Sequence, residues 1–174
     1  MNAAWLNGGL RLLALLWTLI ITALIGNVIA SNNNAASSAT QAVNFTMFVA
    51  AWSWVAGLVG LAAAFFATLA IPWLLLPLDI IAVIFTFVSA IVLCAKLKVV
   101  NCSNYGSQSS NWIAFGSHNH VKRCREIQAS AVFMWFLWAT FLGCLFFTYK
   151  QTSGLLGGRS GGRSKPSMSQ VRGV

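Results

Sequence analysis

Between Leu12 and Ala95 the chain carries no Lys, Arg, His or Glu, and Asp79 is its one ionic side chain. A stretch of that length without charge is incompatible with a water-covered surface. Of 174 residues, 58% are hydrophobic and 7% charged, whereas a soluble domain carries about a quarter charged residues. So short a chain needs abundant polar surface to cover one core, and the surplus apolar surface belongs against lipid. A net charge of +9 in a soluble protein suggests nucleic acid. Here the basic residues lie outside the apolar runs, on loops and a tail, which excludes nucleic acid as a partner. The sequence therefore predicts an all-α membrane protein.

A helix rising 1.5 Å per residue crosses the hydrocarbon in roughly 20 residues. On that scale the runs predict four transmembrane helices, near residues 8–30, 45–70, 77–97 and 126–149, in a compact bundle. Asn32 to Gln41 reads as a short exposed loop. Pro72 and Pro77 divide the long run from Phe45 to Cys94, since proline removes a backbone donor and disfavours helix before it, while suiting a first turn. Helix two is thus expected to end near Thr68 to Ile71 and helix three to begin near Pro77. Residues 1–150 form the helical domain, and 151–174 read as a disordered Gly/Ser/Arg tail. Arg11, an apolar run and the small residues Val28 and Ala30 also suit a cleaved signal peptide, but an uncleaved first crossing is the simpler reading.

Four crossings put both termini on one side of the membrane. The basic residues hardly choose that side: Arg11, Lys150, Arg159, Arg163, Lys165 and Arg172 stand at one end, against Lys96, Lys98, Lys122, Arg123 and Arg125 at the other. The N-glycosylation patterns at Asn44 and Asn101 fall in loops one and three. Cys102 and Cys124 bracket loop three, where a disulfide would form in an oxidising compartment, two free thiols being the alternative. These features place loop three outside and both termini in the cytoplasm. Lys150, Arg159, Arg163, Lys165 and Arg172 are then placed to touch anionic lipids of the inner leaflet.

Membrane helices associate through close packing of small residues, and each span offers such a stripe. The candidates are Ala14, Thr18, Thr22 and Gly26; Ala56, Gly60, Ala64 and Thr68; Ala82, Thr86, Ala90 and Cys94; and Thr140, Cys144 and Thr148. The same stripes could serve a homo-oligomer. Asp79 is the candidate intramembrane or interface polar site, with Thr86 beside it. In the first turn of helix three, Asp79 would offset the positive helix end; the competing role is sensing or partner binding. Trp5, Trp52, Trp54 and Trp73 are expected near helix ends, at headgroup level. The apolar Trp112-Ile113-Ala114-Phe115 inside loop three either covers the bundle or dips into the outer leaflet. His118 and His120 beside Cys124 make a poor metal site. No catalytic, cofactor or metal motif is read, and the expected ligands are membrane lipids.

The segment Trp73-Leu74-Leu75-Leu76-Pro77-Leu78-Asp79, continuing through Phe85-Thr86-Phe87, resembles the fungal non-classical export protein 2 family of MARVEL-domain proteins. Cys102, Cys124-Arg125, Gln128-Ala129 and the late Ser169-Gln170-Val171 carry the same likeness. Asp79, Thr86, Cys102 and Cys124 are matching positions. The resemblance implies a four-helix plasma-membrane protein found in furrow-like lateral domains, eisosomes, where it organises lipids with peripheral partner proteins and responds to sphingolipid or sterol. The family name also implies an alternative: a small transporter, channel subunit or component of unconventional export.

Overall fold

The computed structural model describes residues 3–33, 36–66, 71–98, 101–103 and 112–160. Within them lie four helices: α1 (Ala3–Ala30), α2 (Ser37–Phe65), α3 (Pro72–Leu97) and α4 (His120–Ser160). Each is long and apolar enough to cross a membrane. Leu12, Leu16 and Leu19 on α1, Phe48, Val55 and Leu58 on α2, Ile84 and Ile91 on α3, and Phe136 and Phe146 on α4 stand exposed. Their number makes lipid the only tolerable surrounding.

Each crossing reverses the chain, so successive helices run antiparallel and pack as neighbours. The helices pack in chain order around a ring, with α4 closing against α1 as well as α3, and the diagonal pairs do not meet through their backbones. The small-residue stripes point inward: Ala14, Thr18, Ala56, Ala82, Thr86, Ala90, Thr140, Cys144 and Thr148 are all buried. Thr22 and Ala64 are half-buried. Gly26 departs from the expected pattern, because a Cβ built there meets nothing within 4 Å. Buried hydroxyls disappear into the backbone, as where Thr18 donates to the Ala14 carbonyl and Thr86 to that of Ala82, both at 2.7 Å. Others bridge helices: Ser89 donates to Thr46 at 3.2 Å and the Trp54 indole to Thr22 at 3.1 Å.

Several helix boundaries differ from the sequence expectation. α2 begins at Ser37 rather than near 45, because Ser, Thr and Gln extend a helix beyond the hydrocarbon without cost; Thr40 even bonds the Ala36 carbonyl at 3.2 Å. Asn44 therefore lies inside α2 instead of in a loop, and Trp52 and Trp54 sit mid-helix rather than at an interface. Trp5 and Trp73, 75% and 86% exposed, do stand at helix starts. α3 begins at Pro72, with Pro77 inside it, where the proline removes the amide that would have met the Trp73 carbonyl and crowds that carbonyl with its ring. α2 ends at Phe65, and residues 67–70 fall outside the described set. α4 runs on to Ser160, so residues 151–160, expected in the tail, are helical. Arg159 lies in that last turn, whereas Arg163, Lys165 and Arg172 lie outside the described residues. Lys150 rests its ammonium 5.0 Å from the Phe146 ring centre.

Cys102 and Cys124 are joined, with Cα atoms 5.7 Å apart. The neighbouring Asn101 side chain accepts the Ser103 amide at 3.1 Å. The Trp112 to Phe115 segment covers the bundle: Trp112, Ile113 and Ala114 are buried. The Trp112 indole donates to the Leu97 carbonyl at 2.7 Å, satisfying one of the acceptors that every helix end leaves over. Phe115 packs edge-on against both Trp112 and His120. Replacing Trp112 and Phe115 together with Ser should lower stability by about 3–5 kcal/mol and open loop three to protease; unchanged cleavage would show that the disulfide alone orders it. Cys102→Ser with Cys124→Ser should cost on the order of 3 kcal/mol, read as a lower Tm than the parent's under non-reducing conditions.

Candidate functional site

Asp79 does not occupy the first turn of α3. With the helix starting at Pro72 it lies seven residues in, about 10 Å along the axis, where the dipole of the helix end has faded. Its stabilisation comes from Arg11. The two side chains are each 1% exposed, and the guanidinium meets the carboxylate in a fork, Nη1 to Oδ1 and Nη2 to Oδ2, both at 2.5 Å. Thr148 closes the group from α4, donating to Asp79 Oδ2 at 2.9 Å and accepting from Arg11 Nη2 at 3.3 Å. The Ala56 carbonyl of α2 stands 3.4 Å from Nη1.

All four helices thus converge on one ion pair, which reaches across the diagonal that the α1 and α3 backbones do not close. Room for the guanidinium comes from Gly60: a Cβ there would land on Arg11 Cζ, Nε and Nη1. Beside it lies a cavity of about 80 Å³ lined by Asn7, Arg11, Gly60, Ala63, Leu75 and Gln151. Asn7 Oδ1 and Arg11 Nε border it without hydrogen-bond partners, so a few waters would fit both its volume and its polarity.

Sequence reasoning found Asp79 and missed its partner. Arg11 reads as a cytoplasmic flanking charge because it precedes the first uncharged run, but it is folded into the bundle. The available signal was depth: an acid buried within a span requires a base at matching height, and Arg11 is the one basic residue before Lys96. Thr86, paired in expectation with Asp79, is buried two turns deeper and bonded to its own helix. Thr148, seen only as a packing residue, is the one that joins the pair.

Removing one member of a buried pair strands the other charge. Asp79→Asn or Arg11→Met alone should cost about 3–5 kcal/mol, while Arg11→Met with Asp79→Leu should recover most of it. Gly60→Ala should destabilise by about 1–3 kcal/mol in the parent and by little in the Arg11→Met background. Thermal melts of the four proteins give this coupling directly; additive effects would show that Gly60 serves something other than the ion pair.

Comparison with known proteins agrees with this architecture. Residues 4–147 match the MARVEL family, described as a membrane-associating domain. Non-classical export protein 2 of Saccharomyces cerevisiae is 33% identical over 134 residues, covering 76% of this chain and 73% of its own. Non-classical export protein 2 homolog 1 of the same yeast is 32% identical over 148 residues, covering 84% and 78%. No solved structure matches the chain significantly. Four apolar spanning helices and these matches together identify a multi-pass membrane protein belonging to the non-classical export protein 2 family of MARVEL-domain proteins.

Proposed function

We propose that this protein is a non-enzymatic organiser of lateral lipid and protein domains in the plasma membrane, of the eisosome type. The observation that carries this reading is the filled interior of the bundle. The buried ion pair occupies one end, the Trp112 to Ala114 segment covers the other, and between them lie Ala14, Thr18, Ile21, Ala82, Ala90 and Leu137, none of them exposed. Such a centre offers no wet polar route for an ion or solute. What the molecule presents instead is its outer wall, and a wall of Leu, Ile and Phe acts on surrounding lipid.

Both termini are assigned to the cytoplasm in this proposal. With Arg11 neutralised inside the bundle, each end keeps five basic residues, so charge does not orient the chain; the disulfide supports placing loop three on the oxidising side. Lys150 and the basic residues beyond it then meet anionic inner-leaflet lipid, at roughly 1 kcal/mol each. Sphingolipid or sterol preference, eisosome-type peripheral partners, bound membrane lipid and homo-oligomers formed through the outer faces complete the reading.

The printed name of the two yeast relatives favours a second reading, a component of unconventional export. Tagged full-length protein imaged in yeast before and after inhibition of sphingolipid synthesis separates the two. The organiser is expected to lie in stable patches that disperse on depletion. A uniform distribution unaffected by depletion, together with solute flux through liposomes containing the purified protein, would favour transport instead.

A further inference from the structure

At the loop end, opposite the ion pair, α4 opens with His120-Val121-Lys122-Arg123-Cys124-Arg125-Glu126. Arg123 is 2% exposed. Its Nη1 donates to Asn32 Oδ1 at 3.3 Å, and its Nε has no partner. The chain holds only two acidic side chains. Asp79 is committed to Arg11, and Glu126 takes the Asn27 amide at 2.5 Å and the Lys122 ammonium at 3.7 Å. Among the described residues no carboxylate lies within ion-pair distance of Arg123; Glu126 acts on it only from farther off and is shared with Lys122, and a buried guanidinium without a contacting counter-charge is a costly group to keep.

Arg123 borders a cavity of about 410 Å³ together with Asn27, Ser31, Ser117, Lys122 and Glu126. Ser117, 9% exposed, also points an unpartnered hydroxyl oxygen from its buried position. A second cavity, of about 580 Å³, shares Lys122 and Glu126 with the first and continues past Arg125 to Leu24, Val121 and Ala129. The two form adjoining open grooves in which charged and polar side chains stand beside the apolar side chains of Leu24, Val121 and Ala129. Glu126 faces the same space, but Lys122 offsets it, leaving Arg123 and Arg125 in excess; His118 is exposed at the rim and His120 is turned against Phe115.

We propose that this cleft binds a phosphate-bearing anion, supplied as the headgroup of an anionic phospholipid in the leaflet at the loop end. The phosphate takes charge-assisted bonds from Arg123 and Lys122 and a hydroxyl bond from Ser117, the geometry in which arginine is strongest. The glycerol and chain follow the apolar side chains of Leu24 and Ala129. The organiser reading is not needed for this site, which would serve an exporter equally.

The test uses the full chain, stripped of lipid in a neutral detergent, with melting followed at constant ionic strength. Dioctanoyl phosphatidylglycerol should raise Tm and bind at least about tenfold more tightly than dioctanoylglycerol, which has the same chains and no phosphate, the loss expected for one charge-assisted bond. Lys122→Gln with Ser117→Ala should abolish that preference. Arg123→Met should do the same while melting, without lipid, no lower than the parent, because it removes a buried charge that no carboxylate contacts. Inorganic phosphate acting as strongly as the lipid would support the phosphate site and overturn its lipid source. Equal stabilisation by both lipids, stabilisation by none of the probes, or a preference that survives in both variants would overturn the proposal. Should Arg123→Met fail to fold, the paired variant decides alone.

Discussion

The structure depends on an ion pair placed where ion pairs are least at home. On a water-exposed surface Arg11 and Asp79 would contribute little. Inside a bundle ringed by hydrocarbon the desolvation of both charges is severe, and it is offset only by a two-point fork, a third helix's hydroxyl and the absence of a side chain at Gly60. These requirements are geometric, so they fix more than charge. For Arg11 to reach Asp79 across the diagonal, α1 and α3 must keep one height relative to each other, α2 must present Gly60 at that height, and α4 must present Thr148. A rotation of α1 or α3 by one residue would leave two buried charges unmatched, and one of α2 or α4 would displace Gly60 or Thr148 from them. The pair therefore sets the register of the bundle at the terminus end.

The other end is held by different means. There the disulfide joins the loop after α3 to the start of α4, the Trp112 indole closes the last carbonyls of α3, and the Asn33 amide donates to the Gly116 carbonyl at 2.8 Å, tying the α1 end to loop three. Between the two ends the helices need only fit. Ala and Thr at the contacts let the backbones approach, most hydroxyls are satisfied within their own helices, and only a few directional bonds, Ser89 to Thr46 and Trp54 to Thr22, cross between helices.

Much of this was legible in one dimension because lipid imposes a single dominant rule. Uncharged runs of sufficient length count the crossings, and the spacing of Ala, Gly, Thr and Cys marks the inward faces, Gly26 and Cys94 apart. The errors came where polarity and helix formation were treated as opposites. Ser37 to Gln41 is polar and helical, because a helix may project from the hydrocarbon, and this shifts Asn44, Trp52 and Trp54 from loop and interface into mid-helix. Pro72, not Pro77, starts α3, because at the first helical position proline's missing amide is one that the helix leaves unpaired in any case. Arg11 was misassigned for a related reason: flanking position in sequence is a poor guide to depth when the helix begins at Ala3. A contact between residues 68 apart leaves no local pattern, and only charge balance within the membrane could have suggested it.

That balance also separates the two ends chemically. At the terminus end the buried base has its acid, and the polar cluster is neutral and closed. At the loop end the buried Arg123 has none, and Lys122 and Arg125 add to its field. The mid-membrane walls, by contrast, are Leu, Ile, Val and Phe, which interact with any acyl chain in nearly the same way and discriminate poorly among lipids. Under the proposals made above, discrimination would come from the rims, where Trp5 and Trp73 stand exposed at one end and Arg123, Lys122 and Glu126 line a cleft at the other. On the organiser reading proposed above, the apolar wall would set the contact with surrounding lipid and the two rims would decide which lipids are preferred.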